Sequence, residues 1–154
     1  MLDLDDWGGG RPVPEVMHRY DLRLDPSCQW MRSGTADAPG ALAGQMARAG
    51  DLVPPLEVTG WIRFADGAPP SVLGLLAMAD AFPPTVTGST QVGWVPTIEL
   101  TVHLRRRPAP GWILGAFRTR FLLDGVLEQD GELWDEGGDI VALCRQMGLV
   151  LPKR

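Results

Sequence analysis

The stretch Ala68–Pro84, "APPSVLGLLAMADAFPP", decides the fold, because it carries both a helix start and a helix stop. Pro70 and Ser71 supply the start: proline suits the first positions of a helix, and a serine hydroxyl can cap the free amide groups there. Pro83 and Pro84 supply the stop, since proline lacks the amide hydrogen and restricts the residue before it. The last helical turn is therefore expected near residues 78–82. Between these signals Val72, Leu73, Leu75, Leu76, Met78 and Phe82 exceed one helical stripe, which predicts an element buried nearly all round. One charge interrupts it. Asp80 stands at the C-terminal end, where the helix dipole disfavours a carboxylate by roughly 0.3–1 kcal/mol. Either this acid frays into solvent, or its position serves chemistry.

Outward from the helix, the chain reads as strands. Upstream, "LEVTGWIRFADG" (Leu56–Gly67) is strand-like and closes in a turn, while "VMHRYDLRLDP" (Val16–Pro26) alternates Met17, Arg19, Asp21 and Arg23 against His18, Tyr20, Leu22 and Leu24, a half-buried strand pattern. Downstream lie four further runs, Gln91–Arg106, Gly111–Leu122, Val126–Trp134 and Ile140–Val150. The segments between them, "RPAPG", "LLDG" and "DEGGD", have turn chemistry. Residues 1–16, with "DDWGGGRPVPEV", form a linker-like N-terminal segment, and residues 33–55, rich in Ala, Gly and Pro, read as a loop insertion in which Ala41–Ala49 alone has helical potential. The expected architecture is a single α+β domain over 17–154, an antiparallel sheet with one helix covering a face.

Composition narrows the function. A chain of 154 residues with 45% apolar content can bury one real core, and 14 basic against 19 acidic residues, a formal charge of −5, argue against a nucleic-acid partner held by phosphate neutralisation. Cys28 and Cys144 match no zinc or redox spacing, and His18 and His103 are too few for a typical metal cluster. The N-terminus is acidic and glycine-rich where a secretory signal would be basic and then apolar, and no run reaches the roughly 18 apolar residues of a membrane span. Free thiols, a cytoplasmic location and no membrane partner are the expectations.

Five segments carry a family resemblance: "WIRFADG" (Trp61–Gly67), "LLAMADAFPPTV" (Leu75–Val86), "WVPTIELTVHLRRRPAPGW" (Trp94–Trp112), "DGELWDEGGDIVALCRQMGLV" (Asp130–Val150) and the terminal "LP". In this order they resemble the C-terminal half of the acyl-CoA thioesterase II family, the double-hotdog thioesterases, over about two-thirds of the chain. The resemblance implies a hotdog fold, a long curved antiparallel sheet wrapped around one central helix. It also implies hydrolysis of a fatty acyl-CoA to free fatty acid and coenzyme A by an activated water, with no metal, no covalent intermediate and no cofactor beyond the coenzyme A of the substrate. Matched motif to motif, the water-activating acid falls on Asp80, its threonine partner on Thr97 in "PTIEL" and its glutamine on Gln146 in "CRQMG". Family chains fuse two hotdogs in tandem and only the second is visible here, so pairing is expected with a second copy, as a homodimer, or with another hotdog domain.

Each of these residues has a plainer reading. Thr97 alternates with Glu99, Thr101 and His103, opposite Ile98, Leu100, Val102 and Leu104, which places it on a solvated sheet face. Gln146 alternates with Ala142, Cys144 and Gly148, so a polar pocket is implied wherever that face is covered. Arg105, Arg106 and Arg107 could meet coenzyme A phosphates or could simply guard a strand edge against aggregation. A Cys144–His103 nucleophile lacks an orienting third group. The six tryptophans read as core or interface anchors. Two rival functions remain: a non-catalytic hotdog module that binds acyl groups or pairs with another domain, and an enoyl-CoA hydratase, which would want a histidine where Thr85 stands.

Overall fold

Strict alternation marks the clearest strand: in residues 126–135, Leu127, Gln129, Gly131, Leu133 and Asp135 point inward while Glu128 and Glu132 point to solvent. The computed structural model describes residues 14–26, 56–86 and 92–152. Most of the linker-like segment (1–13), the 33–55 insertion with its 41–49 helical stretch, Cys28, Trp7, Trp30 and Gln91 lie outside the described residues. A 3-10 helix, Glu15–Arg19, leads into β1 (Tyr20–Leu24); then come β2 (Leu56–Phe64), α1 (Val72–Ala81), β3 (Val92–Trp94), β4 (Thr97–Leu104), β5 (Ile113–Leu123), β6 (Val126–Asp135), β7 (Ile140–Leu149) and β8 (Leu151–Pro152). Six strands form one antiparallel sheet in the order β1-β2-β5-β6-β7-β4, and β3 pairs with β8 beside it.

Two strand expectations change in detail. The strand expected from Val16 begins only at Tyr20, because residues 15–19 wind into the 3-10 helix behind Pro14, with the Met17 amide donating to the Pro14 carbonyl at 2.8 Å. That winding carries Met17 into the core, where alternation had grouped it with the exposed Arg19 and Arg23. The single run expected over Gln91–Arg106 breaks at Val95–Pro96: proline has no amide hydrogen for a ladder, and the chain changes sheets there. The "LLDG" turn forms as its chemistry requires, with Asp124 (φ 49°) and Gly125 (φ 78°) both left-handed between Leu123 and its partner Val126.

The helix starts and stops where its signals stand. Ser71 Oγ accepts the Gly74 amide at 2.9 Å, and Phe82 is already extended after Ala81. Leu75, Met78 and Ala79 press onto Val58, Ile62, Ile113, Leu133 and Val141, all at most 1% exposed; each large side chain buried this way contributes about 1.5–3 kcal/mol. Phe82 locks the helix end by packing on Phe117, ring centroids 4.6 Å apart. Gly115 makes room for it, since a methyl group at that position would overlap the Phe82 ring.

The helix is not buried all round. Leu73 is 77% exposed and Leu76 37%, and Ala77 and Asp80 share their outward side, because the sheet covers one face of α1 and no described element covers the other. Nor do the described tryptophans anchor the core. Trp61, Trp112 and Trp134 are half-buried and Trp94 exposed, with Trp112 lying beneath the guanidinium groups of Arg23 and Arg63 at 4.8 and 4.5 Å.

Candidate active site

The helix end, the first residue of β4 and the middle of β7 meet at one point. Thr97 Oγ1 donates to Asp80 Oδ1 at 3.4 Å, Gln146 Nε2 donates to the same carboxylate oxygen at 3.4 Å, and Gln146 Nε2 also hydrogen-bonds directly to Thr97 Oγ1. These donors and acceptors are mutually consistent: Thr97 accepts from Gln146 and gives its own proton toward Asp80, so every recorded bond suits an ionised carboxylate. Both contacts to Asp80 exceed the usual 2.7–3.2 Å of a strong hydrogen bond. The carboxylate, exposed on its outer side, therefore keeps capacity for a closer partner.

Thr97 reaches this point through an irregularity that alternation could not show. On β7 Thr97 pairs with Gly148, but Glu99 pairs with Met147 and Leu100 with Gln146, so the ladder slips by one residue at Ile98. Gly148 and Gln146 share one face of β7, hence Thr97 joins Leu100 and Val102 on the helix-facing side. Thr97 thus lies on the face opposite to the one alternation gives it, while the residue itself stays exposed. Gln146 behaves as its pattern requires: the face of Ala142, Cys144 and Gly148 is covered, Gln146 is 8% exposed, and Asp80 and Thr97 are its partners.

Sequence reasoning passed over the groups behind this trio. Gln129 on β6 is the cross-strand partner of Gln146 and is 1% exposed. Its Oε1 accepts the Thr85 amide at 2.8 Å, and the Thr85 hydroxyl donates to Thr119 Oγ1 at 2.7 Å, with Thr85 and Thr119 equally buried. The available signal was a glutamine at an inward position between Leu127 and Gly131. Tyr20, stacked on Phe64, also feels the site: burial raises the pKa of its hydroxyl, and the negative charge of Asp80 adds to that rise.

The remaining candidates stay apart from the trio. Arg105–Arg107 follow the far end of β4, roughly 23 Å along the strand from Thr97 at about 3.3 Å per residue. All three are exposed, and Arg106 forms an ion pair with Asp139. Cys144 and His103 sit on neighbouring strands but on opposite faces, Cys144 inside and His103 outside. Burial, then the nearby charge of Asp130, pushes the Cys144 thiol up to about 11, far from a reactive thiolate. Among the described residues no group of three or more His, Cys, Asp or Glu side chains could hold a metal ion.

Comparison with known proteins bears on this geometry. Residues 2–150 match the family model described as the acyl-CoA thioesterase C-terminal domain. Among solved structures, a candidate thioesterase II from Thermobifida fusca YX is 30% identical over 91% of this chain and 48% of its own, with a TM-score of 0.66. A hotdog-fold protein of unknown function from Alicyclobacillus acidocaldarius is 22% identical over 93% of this chain and 50% of its own, TM-score 0.66. An acyl-CoA thioesterase II from Mycobacterium marinum is 20% identical over 99% and 57%, TM-score 0.57. The chain thus has the hotdog fold and spans about half the length of the first two. No curated protein matches it.

Proposed function

The chain belongs to the acyl-CoA thioesterase C-terminal domain family, and from that premise we propose that it hydrolyses fatty acyl-CoA to free fatty acid and coenzyme A, with Asp80 as the base that activates water. The observation that carries this reading is the convergence of Asp80, Thr97 and Gln146, three residues from three separate elements, on one hydrogen-bonded point at a helix end. Water held between Asp80 and the two neutral hydrogen-bonders attacks the thioester carbonyl carbon and gives its proton to the carboxylate. When the tetrahedral species collapses, the carbon–sulfur bond breaks and the thiolate of coenzyme A leaves with the proton that Asp80 took. No protein nucleophile and no cofactor enter this scheme. Positioning and general-base assistance of this type contribute typically 10²–10⁴-fold to rate. Thiol release from medium- and long-chain acyl-CoA tests the proposal: Asp80→Ala should abolish turnover while the circular dichroism spectrum and melting temperature hold, and an equally active variant sinks the mechanism.

A second observation favours a paired unit. β4 is an outer strand of the main sheet, with Ile98 59% exposed, and it begins at the site; beside it, Leu73 and Leu76 present an uncovered apolar helix face. Unpaired strand edges and apolar patches of this kind invite a second sheet. We read this side of the molecule as the seat of a second hotdog unit, a copy of this chain or another domain, which closes the open side of Asp80. The alternative is a non-catalytic module that pairs in the same way. Light scattering after size exclusion gives the mass, and thiol release separates the two: a dimer without turnover supports the module. Arg105 and Arg107 stay as candidates for coenzyme A phosphates, tested by the KM of their alanine variants.

A further inference from the structure

Gln129 has a side-chain nitrogen that nothing yet described uses. Its Nε2 is buried and lacks a hydrogen-bond partner, while its Oε1 is committed to the Thr85 amide. The amide orientation is not arbitrary, because the Thr85 N–H is a donor and only an oxygen can receive it. Gln146 is oriented from the other side: its Nε2 faces the Asp80 carboxylate, an acceptor when ionised, so its Oε1 turns away from Asp80. Gln129 and Gln146 are direct cross-strand partners on the covered face of the sheet, where opposed Cβ atoms stand about 4.5–5.5 Å apart. The unpartnered end of Gln129 is therefore a donor, and the end of Gln146 turned from Asp80 is an acceptor. A buried donor is a standing cost until it finds an acceptor, and polar groups too far apart for a direct bond are joined by water.

From this arrangement we infer that Gln129 is a positioning residue for Gln146, acting through a single buried water that accepts from Gln129 Nε2 and donates to Gln146 Oε1. The resulting chain runs from Thr119 through Thr85, Gln129 and the water to Gln146, and ends at Thr97 and Asp80. It fixes which end of Gln146 faces the carboxylate. With the chain cut, Gln146 can rotate and present its oxygen to Asp80, where two acceptors oppose each other. The importance of that orientation for catalysis rests on the function proposed above; the orientation itself does not.

The test uses the ¹⁵N-labelled full chain and two substitutions. Gln129→Glu keeps the acceptor for Thr85, and Gln129→Met keeps the volume, so each preserves a different part of the packing. The readout is the side-chain amide of Gln146, assigned by its loss in Gln146→Leu. Both variants should shift this signal and speed its hydrogen exchange about tenfold or more, with the strand backbone signals in place. If wild-type protein releases thiol, kcat in both variants should fall roughly 10- to 100-fold with KM within about twofold. An unmoved Gln146 amide overturns the inference whether or not the protein turns over. Shifted signals with wild-type kcat in an active enzyme overturn the catalytic consequence. An inactive wild type counts against the hydrolase proposal alone, and the amide signals still decide the role of Gln129.

Discussion

Gly115→Ala probes how the core holds Asp80, the proposed base. The added methyl would overlap the Phe82 ring, which is 3% exposed, packed on Phe117 and positioned directly after the last helical residue. Overpacking of a core position costs about 1–3 kcal/mol. At about 2–4 °C per kcal/mol for a chain of this size, the melting temperature should fall by roughly 2–12 °C. Relief through movement of Phe82 drags the end of α1, and Asp80 lies two residues upstream. Its bonds to Thr97 and Gln146 are both at 3.4 Å, so a shift of a few tenths of an ångström breaks them and turnover should fall by roughly 10- to 100-fold. Phe82→Leu alone should cost about 1–2 kcal/mol as the ring contact with Phe117 is lost. Combined, the two substitutions should destabilise by at least about 1 kcal/mol less than their sum, because the smaller side chain vacates the space that the new methyl needs. Thermal or urea unfolding of the four proteins gives the cycle. Wild-type stability in Gly115→Ala, or additivity within about 0.5 kcal/mol, would refute the account of Phe82 as the wedge that sets the helix end.

Two other predictions concern groups outside the site. Asp135, 5% exposed, accepts the amides of Ala109, Gly137 and Asp139 at 3.0–3.1 Å; the Ala109 bond leads the causes that hold its pKa below the usual 3.8, so its stabilisation is complete above that value and is lost as pH falls through the lower folded value. Asp135→Asn sets an amide donor against one of those N–H groups and should cost about 1–3 kcal/mol at pH 7, with a smaller loss at pH 3, as read by urea unfolding at both pH values. Cys144, whose thiol is pushed up to about 11 chiefly by burial, should resist alkylation in native protein at pH 8 and react on unfolding; in a Cys28→Ser background, prompt native-state labelling by iodoacetamide would contradict this.

Local signals in the sequence proved faithful where local chemistry decides the outcome. Ser71 caps, Pro83 and Pro84 stop, and Asp124–Gly125 turns, each because one or two side chains restrict the backbone on the spot. What escaped were matters of neighbourhood. Nothing near Gln146 says that its strand lies beside β4, an edge strand, so the meeting of residues 80, 97 and 146 came from family resemblance rather than from spacing. The side to which Thr97 points depends on one unpaired residue, and period-two counting across that residue gives the wrong face. The helix looked buried all round because its composition is apolar all round, yet only one side meets the sheet. Gln129 was legible in principle as a polar residue in the inward set of β6, but its pairing with Thr85 needed the segment after the helix to be placed.

The slip at Ile98 also bears on how such a strand could change by insertion or deletion. A β-strand has two phases, and ordinary point substitution cannot move a side chain from one to the other; only a change in length can. Removing Ile98 would let β4 run along β7 in one unbroken phase, with Glu99 and the residues after it paired as before. Thr97, next to the outward Glu99, would still point inward opposite Gly148, and Asp80 would keep its hydroxyl partner. The slip decides the side only while the extra residue is present: were Ile98 paired in the ladder instead, it would take the inward place opposite Gly148 and turn Thr97 outward.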